Sequence, residues 1–375
     1  MEFDLSADQL LFRDTTRDFL EKQMPLTRVR EIAASGAGFD RDWWRRGAEL
    51  GWTSMLVPPE RGGGSISGEG LRDLAIVAEE MGRLVSPGPL AVTNVVALAL
   101  ATASNADAHS AVLDELTPGA KLASWAVYEP ERGWDPAGVA ARAEKQGGEY
   151  VLTGAKDRVD TGDQADYLLV VARTGDGLSQ LLVDAQAPGV TLRRVESLDL
   201  GRHFAEVRFD GVRVPESRLV GAAGGAAAAI ERQLQVAAVL ECAEMAGAVD
   251  RVLEFTVQWA HDRFTFGRPL ASYQALKHRF ADMRTWLEAM HATTGAAVRA
   301  VQEERDDAAE LASVAKAYVG QRATDIVQDC VQMHGGIGVT YDHDIHLYLR
   351  RVTLDRVMWG TPSDHRRRVA ELIGV

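Results

Sequence analysis

The sequence contains little cysteine: Cys242 and Cys330 are the only two in 375 residues. They form no C-x-x-C pair and stand among apolar residues, which excludes a disulfide framework and a zinc ribbon. The sequence also lacks an apolar run of the roughly 18 residues that a membrane helix needs. Its 41 basic and 54 acidic residues give a net charge of −13, with no long lysine or arginine run. This balance argues against nucleic-acid binding but permits a small anionic ligand held by a few arginines.

Several common catalytic motifs are absent as well. The sequence has no G-x-x-x-x-G-K-[ST] phosphate loop, no H-E-x-x-H zinc motif and no G-x-S-x-G nucleophile elbow. His343 and His346, with Asp342 and Asp344 beside them, could suggest a metal, but histidines three residues apart near a helix start are more typical of a polar surface turn. We therefore predict no metal site.

Apolar residues, by contrast, are plentiful. They make up 46% of the chain, which is enough for two or three packed parts. Charged residues such as Asp8, Arg13 and Asp14 stand near the start, where a signal peptide would be apolar. We expect a cytoplasmic protein.

The sequence divides into three regions with different periodicity. Residues 1–120 are predicted to be helical, beginning with a capping box at Ser6 and Gln9 and continuing with helices at 41–50, 69–84 and 92–102. Residues 121–225 predict strands of an antiparallel sheet or barrel at 122–127, 150–153, 167–172, 181–183, 190–195 and 206–209. After a glycine-rich hinge at 221–225, residues 226–375 predict helices at 226–263, 276–304, 306–333 and 344–359, which suit an antiparallel bundle.

Two stretches of the last region could carry chemistry. The first runs from Arg263 to Leu270 with Gln274 after it, and places a guanidinium, aromatic rings and an amide at the end of a long helix. The second, Gln332 to Gly338, places adjacent glycines after a helix, where a ligand can approach the backbone closely. Together they offer an arginine, exposed N–H groups and amides to a pyrophosphate. An ordinary helix C-cap followed by a loop is the alternative explanation.

The first stretch matches the pattern R-x-x-F-G-x-x-L-x-x-x-Q, and the second matches Q-x-x-G-G. Both patterns occur in this order in the acyl-CoA dehydrogenase family, and the chain resembles that family. The resemblance extends to Glu129-Pro130 with Gly133 and Asp135, to Gly154-Ala155-Lys156 and to the run from Val207 to Pro215. It implies an α+β fold with an N-terminal helical domain (1–120), a middle antiparallel β-barrel (121–225) and a C-terminal four-helix bundle (226–375).

The resemblance also implies FAD as cofactor, an acyl-CoA substrate and an electron-transfer flavoprotein as acceptor. In the family a carboxylate takes the α-proton of the acyl chain while the β-hydrogen leaves as hydride to the flavin. The barrel of one chain holds the flavin ring, and the bundle of a neighbour holds the pyrophosphate and adenosine. The bundle half is intact, and the matching positions are Arg263, Thr265, Phe266, Leu270, Gln274, Gln332, Gly335 and Gly336. Core packing is the alternative role for Phe266 and Leu270.

The barrel half departs from the family pattern. Tyr128 and Trp134 stand where the family commonly has a Thr and a Ser. Arg158-Val159-Asp160 stands where the family has Trp-x-Thr, whose aromatic covers the flavin and whose Thr reaches N5. An anionic Asp160 near N5 would oppose negative charge on the reduced ring. Neutral variation around a working site is the alternative.

The family's catalytic base is missing too. Trp359 precedes Gly360-Thr361, where the usual pattern has a Glu, and the family's other position for that Glu aligns with Ala237. Glu241 lies one helical turn beyond Ala237, about 6 Å along the axis, and Glu244 lies near the same face. Either could be a displaced base, and a hydrogen-bonded or solvated structural role is the alternative for both.

The bundle half of the FAD site matches the family pattern and the barrel half does not. This contrast predicts that the chain assembles with a second, different chain. In this respect the sequence resembles the non-catalytic subunit of heteromeric acyl-CoA dehydrogenases from actinobacterial steroid degradation. Such an α2β2 tetramer would hold half the flavins of a homotetramer, with the partner subunit supplying barrel, base and acyl pocket. The alternatives are a self-sufficient homo-oligomer with Glu241 as base, and a flavin-free structural or binding protein.

Overall fold

The computed structural model describes residues 5–175 and 177–375, so the first four residues of the predicted N-terminal domain lie outside it. Contacts divide the chain into two compact units. The helical unit comprises the chain up to Glu31, Ala75–Ser86 and Ala238–Val375, and the sheet unit comprises Ile32–Leu74 and Pro87–Ala237. The three-domain division at residues 120 and 225 stays a prediction.

The N-terminal region is helical, as predicted. Its helices are α1 (Ala7–Gln23), α2 (Leu26–Ser35), α3 (Arg41–Glu49), α4 (Gly70–Arg83), α5 (Leu90–Thr102) and α6 (Ser110–Leu116). The predicted capping box is confirmed, because the Ser6 hydroxyl accepts the Gln9 N–H at 3.2 Å and the Gln9 side chain accepts the Ser6 N–H at 3.1 Å. The sequence patterns did not predict α2 and α6.

The described strands of the middle region form one mixed sheet. They are β1 (Ala123–Ala126), β2 (Arg142–Gln146), β3 (Glu149–Asp160), β4 (Tyr167–Thr174), β5 (Gly177–Asp184), β6 (Val190–Val195), β7 (Phe204–Pro215) and β8 (Leu219–Val220). Their order is β6-β7-β3-β2-β4-β5-β8, with β1 also paired to β4. No pairing joins β8 to β6 among the described residues, so the predicted closed barrel is not confirmed.

The prediction of a purely antiparallel sheet is wrong at β4. Strands β1 and β2 both run parallel to it, whereas β5 runs antiparallel. A parallel pair needs a long connection between its strands, and the loop after β1 together with the β2–β3 hairpin supplies it. Alternate residues of the long strands, such as Tyr150 and Leu152, point into a common apolar core.

The C-terminal region is again helical, apart from one short hairpin. Its elements are α7 (Ala227–Asp262), β9 (Phe264–Thr265), β10 (Arg268–Pro269), α8 (Gln274–Gln302), α9 (Ala308–His334), α10 (Ile345–Asp355) and α11 (Pro362–Leu372). Helix α9 contacts α8, α10 and α11. Within the described ranges, no helix is long and apolar enough to cross a membrane.

Candidate functional site

The first motif forms a hairpin turn at the end of α7. The Arg263 N–H donates to the Trp259 carbonyl at 2.9 Å, and the Leu270 N–H donates to the Arg263 carbonyl at 2.9 Å, so the chain reverses within a few residues. Phe266 and Gly267 take left-handed backbone conformations, with φ of +53° and +80°. This turn holds Arg263 at the surface, immediately after the last residue of the helix.

The side chains of this turn face solvent in the single chain. Phe266 is 93% exposed, so it does not pack in the core of this chain. Arg263 and Gln274 are exposed, while Thr265 and Leu270 are half-buried. Among the described residues, no carboxylate forms an ion pair with Arg263. The guanidinium is therefore available to an anion.

The second motif leaves its backbone open. Helix α9 ends at His334, and Gly335 follows with φ of +65°. No described atom lies within 4 Å of where a Cβ would stand on Gly335 or Gly336. Gln332 is exposed beside them. A ligand can therefore approach these peptide groups closely, which is the use of paired glycines at a helix end.

The structure brings the two motifs together. The Trp259 ring, one turn before Arg263, stacks on His334, the residue before Gly335, with centroids 5.3 Å apart and an interplanar angle of 21°. The Arg263 guanidinium lies 5.9 Å from the centre of the Trp259 ring. An exposed arginine near a glycine pair that leaves room for close approach fits a diphosphate.

In the sheet unit, Arg158 stands where the family pattern has an aromatic residue. Arg158 has a left-handed backbone, with φ of +50°, and its guanidinium lies 4.8 Å from the centre of the buried Tyr128 ring. Its Nη2 donates to the carbonyl oxygens of Glu129 at 3.3 Å and Arg132 at 3.4 Å. The side chain thus ties β3 to the loop that follows β1.

Asp160, two residues further on, is also engaged. Its carboxylate accepts a hydrogen bond from the Thr161 hydroxyl at 3.0 Å, and its Oδ2 lies 3.7 Å from Nη1 of Arg202. All three side chains are largely buried. The negative charge is therefore balanced inside the sheet unit.

A buried ion pair also holds the loop that follows β1. Glu129 Oε1 lies 2.9 Å from Lys156 Nζ, and the Glu129 carboxylate also accepts the N–H groups of Ala140 and Ala141. Burial lowers the pKa of Lys156 to about 8, against the opposing charge of Glu129. Burial favours the neutral form of Glu129, but Lys156 and the two N–H groups outweigh it and hold the pKa below its usual range. The Glu-Pro and Gly-x-Lys segments are thus joined as one structural unit.

In the loop before α11, Trp359 stands at the position where the family pattern has the catalytic Glu. Trp359 is 2% exposed and has φ of +59°. Its carbonyl accepts a hydrogen bond from His365 Nε2 at 2.9 Å. Burial, with Lys316 nearby, lowers the pKa of His365 to about 4. Thr361 caps α11 instead of flanking a carboxylate.

The two candidate bases lie among buried charges of the helical unit. Glu241 is fully buried, and its charge acts on the buried Lys316. Burial lowers the pKa of Lys316, while Cys242 and Glu241 oppose that shift. Glu244 accepts a hydrogen bond from Arg351, whose guanidinium is 1% exposed. These contacts support structural roles for both carboxylates, and the expectation that this chain supplies no catalytic base stays a prediction.

Three family models match successive parts of the chain. They describe the acyl-CoA dehydrogenase N-terminal domain over residues 6–120, the middle domain over 124–212 and the C-terminal domain over 223–374. The acyl-CoA dehydrogenase IpdE2 of Mycolicibacterium smegmatis is 30% identical over 97% of this chain and 98% of its own length. The chain belongs to the acyl-CoA dehydrogenase family.

Solved structures of family members share the fold. The Tcur3481-Tcur3483 steroid ACAD is 30% identical, with a TM-score of 0.88 over 98% of this chain and 97% of that one. A glutaryl-CoA dehydrogenase from Mycobacterium smegmatis, in complex with FADH2, has a TM-score of 0.90 at 22% identity, over 100% of this chain and 97% of that one. The acyl-CoA dehydrogenases are oxidoreductases that bind FAD.

The sequence motifs did not single out Trp259 and His334, although they lie at the centre of the site. A signal was present in the sequence: an aromatic four residues before the motif arginine lies on the same helical face, and a ring stands directly before the glycine pair.

No group of three or more metal-ligating side chains occurs in residues 5–175 and 177–375. The His343 and His346 rings instead pack on His334 and Tyr341.

Proposed function

We propose that this chain is the non-catalytic subunit of a heteromeric acyl-CoA dehydrogenase. It contributes the pyrophosphate and adenosine half of an FAD site to a partner subunit, which carries the flavin-ring pocket and the base. The observation that carries the proposal is the contrast between the two halves. In the helical unit, Arg263 and the glycine pair are open to a ligand. In the sheet unit, Arg158 and Asp160 replace the aromatic and the hydroxyl of the family pattern, and the Arg158 guanidinium contacts Tyr128.

The open half fits the phosphate end of FAD. Arg263 would bind the pyrophosphate through charge-assisted hydrogen bonds. The Gly335 N–H already donates to the Gln332 carbonyl, so the contribution of the glycine pair is room for the pyrophosphate to approach the backbone closely. Gln274 and Gln332 are exposed amides in the same motifs. FAD, when bound, supplies the hydride acceptor for acyl-CoA dehydrogenation.

The other half does not fit a flavin ring. A flavin needs an apolar or aromatic cover and a small hydroxyl at its reactive edge, according to the family pattern. Here the cover position is the cationic Arg158, held by two carbonyl oxygens and by Tyr128. The hydroxyl position is Asp160, engaged with Arg202. Arg158 is exposed, so it changes this position by bringing a positive charge and lacking an aromatic face rather than by filling the space.

Neither position that holds the base in the family can take a proton here, because one is Trp359 and the other is Ala237. The partner subunit therefore supplies the carboxylate. The Tcur3481-Tcur3483 steroid ACAD carries two protein designations, which supports an assembly of two different chains and a steroid acyl-CoA as the substrate class. The proposed stoichiometry of this assembly is α2β2. An electron-transfer flavoprotein is the acceptor that this proposal includes.

The test is the flavin content of the complex purified after coexpression with its partner subunit. Arg263→Ala should weaken FAD binding by about 1.5–3 kcal/mol, the typical contribution of hydrogen bonds to a charged group. Arg284→Ala is the matched control, since it removes the same charge from an exposed site on α8, where Arg284 pairs with Glu288. Equal flavin content in both variants would remove Arg263 from the FAD site and overturn the proposal.

A further inference from the structure

A column of side chains connects the two FAD motifs inside the helical unit. The Arg263 guanidinium lies 5.9 Å from the Trp259 ring centre, and Trp259 stacks on His334 at 5.3 Å. His343 also contacts His334, with ring centroids 4.5 Å apart and the planes tilted. Phe255 contacts His334 edge-on at 5.7 Å and His343 with a tilted ring at 5.6 Å.

His334 is held in one orientation and one tautomer. Its Nδ1 lies 2.8 Å from the Cys330 carbonyl, and a carbonyl only accepts, so Nδ1 carries the hydrogen. The ring is 4% exposed, and burial lowers the pKa of His334. The ring is therefore a fixed, neutral stacking surface for Trp259.

The column joins two backbone segments that are far apart in sequence. On α7, the Trp259 carbonyl accepts the Arg263 N–H at 2.9 Å, so the tryptophan and the arginine belong to the same last turn. On α9, His334 is the last helical residue and Gly335 follows it directly. The Trp259–His334 contact consequently joins the last turn of α7, which leads into Arg263, to the end of α9, which leads into the glycine pair.

We propose that Trp259 and His334 are positioning residues of the FAD half-site. The stacked pair holds Arg263 and the Gly335–Gly336 backbone at the spacing that one diphosphate requires, and the face of Trp259 limits the conformations open to the exposed arginine. Affinity then gains from preorganisation rather than from additional contacts. This inference rests on the proposed function, because it concerns the same half-site.

The experiment measures FAD affinity in the coexpressed complex after removal and re-addition of FAD, followed by flavin fluorescence. Trp259→Leu removes the ring and should weaken FAD binding by about tenfold, in line with a cation–π and stacking contact. Trp259→Phe keeps an aromatic face and should retain most of the affinity. His334→Ala should behave like Trp259→Leu, and His334→Phe should recover much of the loss.

A double variant separates positioning from general damage to the fold. If Trp259 acts through Arg263, then Trp259→Leu should cause little further loss when Arg263 is already Ala. Equal losses in both backgrounds, or wild-type affinity for Trp259→Leu, would overturn the inference while leaving the proposed function in place. If Arg263→Ala itself keeps full affinity, the proposed function fails, and the two failures are thereby distinguished.

Discussion

At the scale of single residues, the clearest departure from the family pattern is a tryptophan at the position of the catalytic Glu. Trp359 occupies the position before Gly360-Thr361 and is buried with a left-handed backbone. A left-handed conformation is unusual for a large side chain and needs support from its surroundings. The hydrogen bond from His365 to the Trp359 carbonyl supplies part of that support. The burial and the hydrogen bond indicate a structural role for Trp359.

Glu241 tests whether this chain carries a base of its own. A general base typically contributes about 10²–10⁴-fold in rate. Because Glu241 is buried beside Lys316, we predict that Glu241→Gln leaves acyl-CoA-dependent reduction of an electron acceptor by the complex nearly unchanged. Gln keeps the size and much of the hydrogen bonding of Glu, so the substitution is mild. A drop of about two decades or more, with flavin retained, would show that this chain is catalytic.

The sequence predicted some site residues and missed others for identifiable reasons. Arg263 and the Gly335–Gly336 pair were predicted because their types and spacing form a known motif, and the structure brings the two motifs together. Their contact with FAD stays a prediction. Trp259 and His334 were missed because a stacking partner is defined by where α7 and α9 meet, and no local pattern encodes that meeting.

At the scale of elements, the predictions succeeded where hydrophobic periodicity was strong. The helices α7, α8 and α9 lie where their long apolar patterns placed them. Strand β2 was missed because Arg142, Glu144 and Lys145 are exposed on it and Ala143 is its one buried residue. The parallel pairing of β1 with β4 could not be predicted, because strand direction depends on the route of the connecting loop.

Helix α11 was also missed, although its start has a recognisable signal. Thr361 and Asp364 form a capping box, and Pro362 occupies the first turn. The same residues, Gly360-Thr361, match the flank of the family's base position. One local sequence can therefore serve as a cap in the fold while matching the flank of a catalytic residue in relatives.

The start of α11 should show a pH-dependent stability that comes from His365. Its pKa is about 4 in the folded chain against an ordinary value of 6.5, mainly because of burial. The unfolded chain therefore binds a proton that the folded chain does not in that interval. The contribution to stability is complete above about pH 6.5 and is lost as the pH falls towards about 4, a change of roughly 3 kcal/mol.

The measurement is the free energy of unfolding in denaturant across this pH interval, for the wild type and for His365→Gln. Gln remains neutral and can still donate a hydrogen bond to the Trp359 carbonyl. The variant should lose stability less steeply as the pH falls. The same pH dependence in both proteins would mean that His365 does not titrate as its burial requires.

The Glu129–Lys156 pair should stabilise the sheet unit strongly. Lys156→Met leaves the Glu129 carboxylate buried without its cation, and breaking a buried pair in this way typically costs about 3–5 kcal/mol. Denaturant unfolding measures the loss. Lys145→Met is the control, because the Lys145–Glu216 pair lies at the surface and should change stability little. Similar effects of the two substitutions would show that the buried pair carries no special weight.

At the scale of the whole molecule, the helical unit and the sheet unit differ in how well their residues match the family's FAD motifs. The helical unit contains the Arg263 turn and the open glycines, and the Phe264 and Phe266 rings of that turn are exposed. In the sheet unit, Arg158 and Asp160 stand where the family pattern has the residues that receive the flavin ring. The proposed function therefore assigns one half of the FAD site to this chain and the other half to a second chain.

The most direct test of this claim is the flavin content of the chain purified alone, compared with the coexpressed complex. We predict that the chain alone binds little or no FAD, because Arg158 and Asp160 stand where the family pattern has the aromatic and the hydroxyl that receive the flavin ring, and Tyr128 stands where it has a small Thr. The complex should contain one FAD for every two chains, all of it released by denaturation and measured by absorbance. A yellow homo-oligomer of this chain alone, with one FAD per chain, would contradict the account.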